Sequence, residues 1–370
     1  MSVAIDHGYL PSHRYIYNHD IMNCTADGVV GNHLFSGRAL GLTEPWDLIQ
    51  LHPDLESQWP AIQAHYQRIG LSHTQEVIWH VARETLGEHI GLHPSVFYFG
   101  PEEFCYWGDD QWLETVEFIN SKNNFMSLAE TLGVDVPETR CYDQVEDIPE
   151  SLPSSIFPCY LKAAVSVSGV GIYRCETYEE LAEAAASFEP GTPVQLQEEV
   201  ITSQFLNLQY QVVGDELVRL QASEQLLEGC AHQGNRVPAQ HQPWSSVEPM
   251  AIWLKEQGIK GVFAFDVAVV ETPNGYRYPA IECNPRFNGA SYPTLIANKL
   301  GIDNWTATTF HTRYRDLADI QLDELEFNPK TGEGAVIVNW GTVLQGKLVI
   351  LMAGSLAYRE ALQPELDAML

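Results

Sequence analysis

Apolar positions between Ser121 and Gly133 recur at Phe125, Leu128, Ala129 and Leu132, the spacing of a helix with one buried face. Ser121 is placed to cap its N-terminus, Gly133 to end it, and Val134-Asp135-Val136-Pro137 to lead away as an extended stretch. Further on, short apolar runs alternate with helical spacing. Ile156 to Leu161 reads as a strand despite Pro158, Lys162 opens a Ser/Gly-rich turn, and Ile172-Tyr173-Arg174-Cys175 returns as a second strand. An Ala- and Glu-rich helix is expected from Tyr178 to Phe188, and a further strand region begins at Val194-Gln195-Leu196-Gln197. From Ile259 onward the order is strand, turn, strand, helix. Helices mixed with hairpins argue for an α+β architecture and against a doubly wound parallel sheet.

Residues 1 to 115 have a different flavour. Ten of the thirteen histidines fall there, with several tryptophans and turn signals such as Ala26-Asp27-Gly28. His89 and His93 stand four apart, but Gly91 lies between them and no zinc-protease glutamate follows, so surface or hydrogen-bonded histidines are expected and not a metal site. No internal repeat or low-complexity tract occurs. The chain divides into an N-terminal domain, residues 1–115, and two further units, residues 116–196 and 197–370.

Composition narrows the partners. A chain of 370 residues, 45 % apolar and 19 % charged, can bury a sizeable core in two or three subdomains. No uncharged apolar run of about 18 residues occurs, and the N-terminus lacks a basic stretch followed by an apolar one, so a soluble cytoplasmic protein is expected. The 20 basic against 49 acidic residues leave a formal charge of -29, a field that repels nucleic acid and anionic membrane. Any phosphate-binding site must therefore gather scarce cations locally and recruit divalent ones. The cysteines, Cys24, Cys105, Cys141, Cys159, Cys175, Cys230 and Cys283, are odd in number and include no C-x-x-C pair, so free thiols are expected.

Three segments carry the chemistry. In Tyr160-Leu161-Lys162-Ala163-Ala164-Val165-Ser166-Val167-Ser168-Gly169-Val170-Gly171-Ile172, a lysine at a strand end precedes a loop of small residues. Gly169 and Gly171 let backbone N–H groups approach phosphate oxygens, and Lys162 supplies a point charge. The second segment, Gly261 to Val270, is an apolar strand interrupted by Asp266. The third is Ile281-Glu282-Cys283-Asn284-Pro285-Arg286, where alternation puts the hard oxygens of Glu282 and Asn284, suited to Mg²⁺, on one face. Thr272-Pro273-Asn274-Gly275 joins the last two as a hairpin. A three-residue turn sets Asp266 directly opposite Glu282, where two carboxylates call for a cation; a two-residue turn sets it opposite Cys283.

Taken in order, these segments resemble the ATP-grasp superfamily. The Asp266 strand, the hairpin and Glu282-Cys283-Asn284-Pro285-Arg286 resemble its metal-binding hairpin. Lys162 with its loop is similar to the phosphate-covering loop, Asn120-Ser121-Lys122-Asn123-Asn124-Phe125 to the first family lysine, and Gln197-Glu198-Glu199-Val200 to the adenine-binding hinge. The resemblance runs from about residue 115 to 310. It implies an ATP-grasp fold of two α+β subdomains clasping ATP, behind an N-terminal α/β domain. Lys122 and Lys162 would contact phosphates, Ser166, Ser168, Gly169 and Gly171 would close over them, and Glu198, Glu199 and Val200 would present backbone groups to adenine. Asp266, Glu282 and Asn284 would hold one or two Mg²⁺, with Mn²⁺ as a substitute, and Arg286 would stabilise charge in the transition state. Gln204 stands where many members place a ribose-binding acid. No glycine-rich strand-to-helix opening occurs in the N-terminal region. Family members are commonly homodimers.

The implied reaction is ligation of a small-molecule carboxylate to an amine, of amino-acid or peptide type, through an acyl phosphate with release of ADP and phosphate. Arg236, on the loop Gly234-Asn235-Arg236-Val237-Pro238, and Arg219 are the candidate substrate-carboxylate anchors. The alternatives are a biotin-carboxylase-like reaction on bicarbonate, a kinase-like phosphoryl transfer, and a non-catalytic nucleotide-binding module.

Overall fold

The computed structural model describes residues 13–25, 30–166, 171–202, 204–229 and 231–370. The first strands are β1 (Tyr15–Asn18), β2 (Leu48–Gln50), β3 (Val77–Ile78) and β4 (His93–Val96), which form a parallel sheet in the order β3-β2-β1-β4. Parallel neighbours need crossovers, and α1 (Trp59–Ile69) lies in the one between β2 and β3, burying Ile62, Tyr66 and Ile69. Helices α2 (Glu84–Glu88), α3 (Pro101–Trp107) and α4 (Asp110–Asn120) lead out of the domain. Helix α5 occupies Lys122–Leu132, with the Ser121 hydroxyl accepting from Asn124 N–H at 3.4 Å and Gly133 left-handed at φ 66°.

Strands β5 (Thr139–Tyr142), β6 (Cys159–Ala163), β7 (Ile172–Cys175) and β8 (Val194–Glu198) form an antiparallel sheet in the order β5-β8-β6-β7. With α6 (Tyr178–Ala185) this sheet closes a core of its own around Leu161, Cys175, Leu181 and Leu196. β6 begins three residues later than the apolar run implies. Pro158 has no N–H to give a ladder, and Ser154–Ile156 coils as a 3-10 turn instead.

The largest sheet is antiparallel, ordered β15-β12-β9-β10-β11-β16-β18-β17. Its strands are β9 (Phe205–Val213), β10 (Glu216–Glu228), β11 (Ala231–Val237), β12 (Gly261–Ala268), β15 (Ala280–Asn284), β16 (Trp305–His311), β17 (Gly334–Asn339) and β18 (Lys347–Ala353). A small ribbon, β13 (Val270–Thr272) and β14 (Gly275–Arg277), joins β12 to β15. Alternation divides the two faces. Leu206, Leu208, Tyr210, Phe263, Phe265 and Val267 point into a core shared with α4, α5 and α7 (Glu248–Glu256). Asn207, Gln209, Gln211 and Asp266 point the other way. At the far end of the sheet, α8 (Ser291–Leu300), α9 (Leu356–Met369) and the N-terminal domain close a further core around Tyr66, Trp305 and Trp340. Each fully buried aromatic here contributes about 1.5–3 kcal/mol, so the N-terminal sheet and the large sheet are held together by substantial apolar contact. Among the described residues no helix is long and apolar enough to cross a membrane.

Candidate active site

Asp266 and Glu282 stand directly opposite one another on β12 and β15. The route differs from the turn-length argument. The ribbon closes on a two-residue turn, with Thr272 paired to Gly275, a register that alone would set Asp266 against Ile281. A β-bulge between the Asp266–Glu282 and Val267–Ala280 pairs corrects it, with Ile281 as the extra residue on β15. The bulge brings the two carboxylates to one face.

Each acid is held by a different set of groups. Asp266 accepts hydrogen bonds from Asn207 (2.8 Å) and Gln225 (2.6 Å) on one oxygen and from Asn284 (3.1 Å) on the other. Burial first, and then the charge of Glu282, push its carboxyl up to about 7. Glu282 lies 3.3 Å from Lys122 Nζ. Burial opposes its ionisation, but Lys122, Lys162 and Arg286 together hold it below the usual glutamate range. Asp266 thus keeps its proton toward neutrality beside an ionised Glu282, as expected of two opposed carboxylates. The donor set fits a divalent metal on these grounds: two carboxylates from paired strand positions, each able to turn an oxygen to the same point. The Asn284 amide oxygen accepts from Arg286 Nη1 at 2.5 Å, and its second lone pair can still join that set.

The cations converge from three elements. Lys122 opens α5, is 7 % exposed, and donates to Ser166 Oγ at 3.0 Å while its own N–H bonds Ala164 O at 2.7 Å. These two bonds tie the start of α5 to the loop after β6. Lys162, at 8 % exposure on β6, donates to Gln197 on the neighbouring strand β8 at 2.6 Å. Arg286 leaves β15 beyond Pro285, which stops the strand from running on. In a chain of net charge -29, three cations around one glutamate are a local inversion of the field.

The other candidate residues are placed as follows. Gly171 is left-handed at φ 74°, and its carbonyl accepts from Ala163 N–H; Ser168 and Gly169 lie outside the described residues, as does Cys230. Val200 follows β8. Glu198 spends a carboxylate oxygen on Glu138 N–H (2.9 Å), and Glu199 pairs with Arg174 (2.6 Å), so both acids are engaged by residues of the β5–β8 sheet and its margins. Gln204 bonds Gln240 at 3.4 Å. Arg236 pairs with Glu224, and Glu224 alternates with Gln225, the residue that reaches Asp266. Arg236 is therefore on the opposite face of the sheet from the carboxylates. Arg219 pairs with Glu248 of α7 and stands over Trp244, again on the far face. The fold does not bring these two arginines to the acids.

Asn207 and Gln225, which fix Asp266, are not among the residues the sequence singles out, and Gln197, named there with the adenine-binding segment, fixes Lys162. One signal was present: Asn207-Leu208-Gln209-Tyr210-Gln211 alternates amide and apolar residues, the mark of a strand with a polar inner face. Among the N-terminal histidines, His33 and His52 come together with exposed Asp54 within 4.8 Å. His93 packs edge-on against His13 at 4.3 Å. His19 is buried, bonded to Tyr292 and Ser95.

No protein-family model matches the chain, and no curated protein is similar to it in sequence. Solved structures do match in three dimensions. Staphylococcus aureus N5-carboxyaminoimidazole synthetase, complexed with ADP, superposes with a TM-score of 0.60 at 10 % identity over 100 % of both chains. An L-amino acid ligase from Bacillus licheniformis gives 0.56 at 12 % identity, covering 96 % of this chain and 97 % of that one. The Aspergillus clavatus N5-carboxyaminoimidazole synthase, complexed with ADP and an aminoimidazole ribonucleotide, gives 0.53 at 13 % identity over 96 % and 99 %. These similarities establish the fold as ATP-grasp.

Proposed function

We propose that the protein is an ATP-dependent ligase that activates a small-molecule carboxylate as an acyl phosphate and joins it to an amine. The observation that carries this reading is the gathering of Lys122, Lys162 and Arg286 about Glu282, opposite Asp266, within an ATP-grasp fold. Lys162, fixed by Gln197, and Lys122, fixed by Ser166, hold two ammonium groups where nucleotide phosphates would be neutralised. Asp266, Glu282 and Asn284 are the residues that would hold Mg²⁺. The metal would supply charge neutralisation at the phosphates and alignment of the transferred group. Arg286 is positioned by Asn284 to meet negative charge that develops as the γ-phosphoryl moves. The 166–171 loop, tied to α5 at Ser166, would exclude water from an intermediate that hydrolyses easily. On this reading residues 1–115 form the N-terminal domain, residues 116–196 carry the lid, and residues 197–370 carry the metal-binding hairpin.

A second reading has one specific observation in its favour, the names of the N5-carboxyaminoimidazole synthetase structures. In it the activated carboxylate is bicarbonate. Both readings are tested by incubating the protein with Mg-ATP, pooled carboxylic acids and hydroxylamine, and by following ADP and hydroxamate. Acid-dependent hydroxamate that disappears in Lys162→Met and Glu282→Gln supports ligation. Bicarbonate-dependent ADP release with no hydroxamate selects carboxylation, and ADP release indifferent to every acid refutes both.

A further inference from the structure

Two buried arginines among the described residues have no acid: Arg359, which bonds Val237 O and Thr306 Oγ1, and Arg38, which leaves two nitrogens without an acceptor. Arg38 lies in the 3-10 segment Asn32–Leu42 and is 7 % exposed. Its guanidinium carbon sits 4.3 Å from the ring centre of Tyr292, 4.6 Å from Phe97 and 5.0 Å from Phe35. Nε and Nη2 are buried with no hydrogen-bond acceptor, and the Tyr292 hydroxyl is its polar neighbour. Among the described residues no carboxylate pairs with it, although Arg68, Arg83, Arg174 and Arg277 each have one. Acids outnumber cations more than twofold in this chain, so a buried cation kept apart from them is unexpected. The three ring faces offset part of its desolvation but leave its planar N–H fork unused.

The surroundings are rigid and lead to the reacting centre. His19, buried and held neutral by burial and by the Arg38 charge, bonds Tyr292 Oη at 2.8 Å and Ser95 Oγ at 3.0 Å, which fixes the wall that Arg38 leans on. The Arg286 guanidinium lies 5.7 Å from the same Phe97 ring and raises the cost of keeping Arg38 charged. Two cations thus share one aromatic ring, and Arg286 is bonded to Asn284 beside the paired acids.

We propose that Arg38, with the Tyr292 hydroxyl, is an oxyanion-binding subsite for a small-molecule substrate that carries a carboxylate or phosphate besides the group being joined. Its place in the reaction rests on the ligase reading; its capacity to bind an oxyanion does not. The planar fork suits either anion, and Arg286 next to it orients the rest of the molecule toward the γ-phosphoryl.

The test titrates wild type, Arg38→Met and Arg38→Lys with succinate, inorganic phosphate and neutral succinamide, following tryptophan fluorescence and thermal unfolding. Binding of a fluorescent ATP analogue in each variant controls for folding. Phosphate bound at Lys122 and Lys162 persists in all three proteins, so only the Arg38-dependent part counts. The expected result is loss of affinity for succinate or phosphate on the order of ten- to a hundredfold in Arg38→Met. Arg38→Lys, which keeps the charge without the fork, is expected to fall between, and the anion that loses more names the group recognised. Equal anion binding in wild type and both variants, or no effect of either anion on wild type, overturns the proposal. If anion binding behaves as expected but no acid drives ADP release, the ligase reading fails and the subsite stands.

Discussion

Replacing Asp266 by asparagine isolates the strain of the carboxylate pair. In the folded, metal-free protein this carboxyl keeps its proton to about pH 7, whereas in the unfolded chain it loses it near 3.8. Between those values the native state binds more protons, so the group's contribution is fully present below pH 3.8 and is lost as pH rises toward 7. A shift from 3.8 to about 7 corresponds to at most about 4 kcal/mol. The side chain of Glu282 is 30 % exposed, and solvent screening there reduces the figure, so about 2–4 kcal/mol is the expected span. The substituted amide cannot titrate. Urea unfolding of wild type and Asp266→Asn in EDTA, at intervals from pH 4 to 8, should therefore show the variant gaining on wild type by that amount. Any constant offset carries no information, because the new amide must compete with the donors of Asn207, Gln225 and Asn284. Ionisable groups that do not sense Asp266 cancel in the difference, and Glu282, coupled to it, titrates below this range in both proteins because Lys122, Lys162 and Arg286 hold it low. Parallel stability curves across this range would refute the account of two acids forced together by the bulge. Mg-ATP turnover should be lost in the same variant.

Lys162→Met should weaken ATP binding by about 1.5–3 kcal/mol, measured by calorimetry, and should cost about 1–3 kcal/mol in urea stability, since it leaves the buried Gln197 amide oxygen without its donor. Leu161→Ala should cost about 2–5 kcal/mol within the separate core of the β5–β8 sheet, seen as faster hydrogen exchange there with protection retained in β12 and β16. Alkylation of native protein near pH 8, mapped by mass spectrometry, should modify exposed Cys105 quickly. Cys24, pushed up to about 11 by burial, and Cys283, raised by burial and by both acids, should react only after unfolding.

Local signals were the most legible in the sequence. The α5 helix, with Ser121 before it and Gly133 after, follows from spacing and capping within a dozen residues, so no distant contact was needed to place it. Asp266, Glu282 and Asn284 were legible for a similar reason: a strand's period of two assigns the face, and the hairpin brings the strands together. What the turn could not supply was the register. That depended on Ile281 bulging out of β15, which no turn residue specifies. The substrate-side arginines show the opposite limit. Arg219 and Arg236 drew attention because cations are scarce, yet each is neutralised by a partner 29 and 12 residues away, Glu248 and Glu224, on the face turned from the acids. Arg38 lies 254 residues before Tyr292, and nothing near it in sequence marks it. Its character depends on which groups do not reach it, and a contact missing among distant residues leaves no local pattern. Scarcity of a residue type marks a cation for attention, but where its counter-charge lies is decided by the fold: on the far face of the sheet for Arg219 and Arg236, at Glu282 for Lys122, and nowhere among the described residues for Arg38.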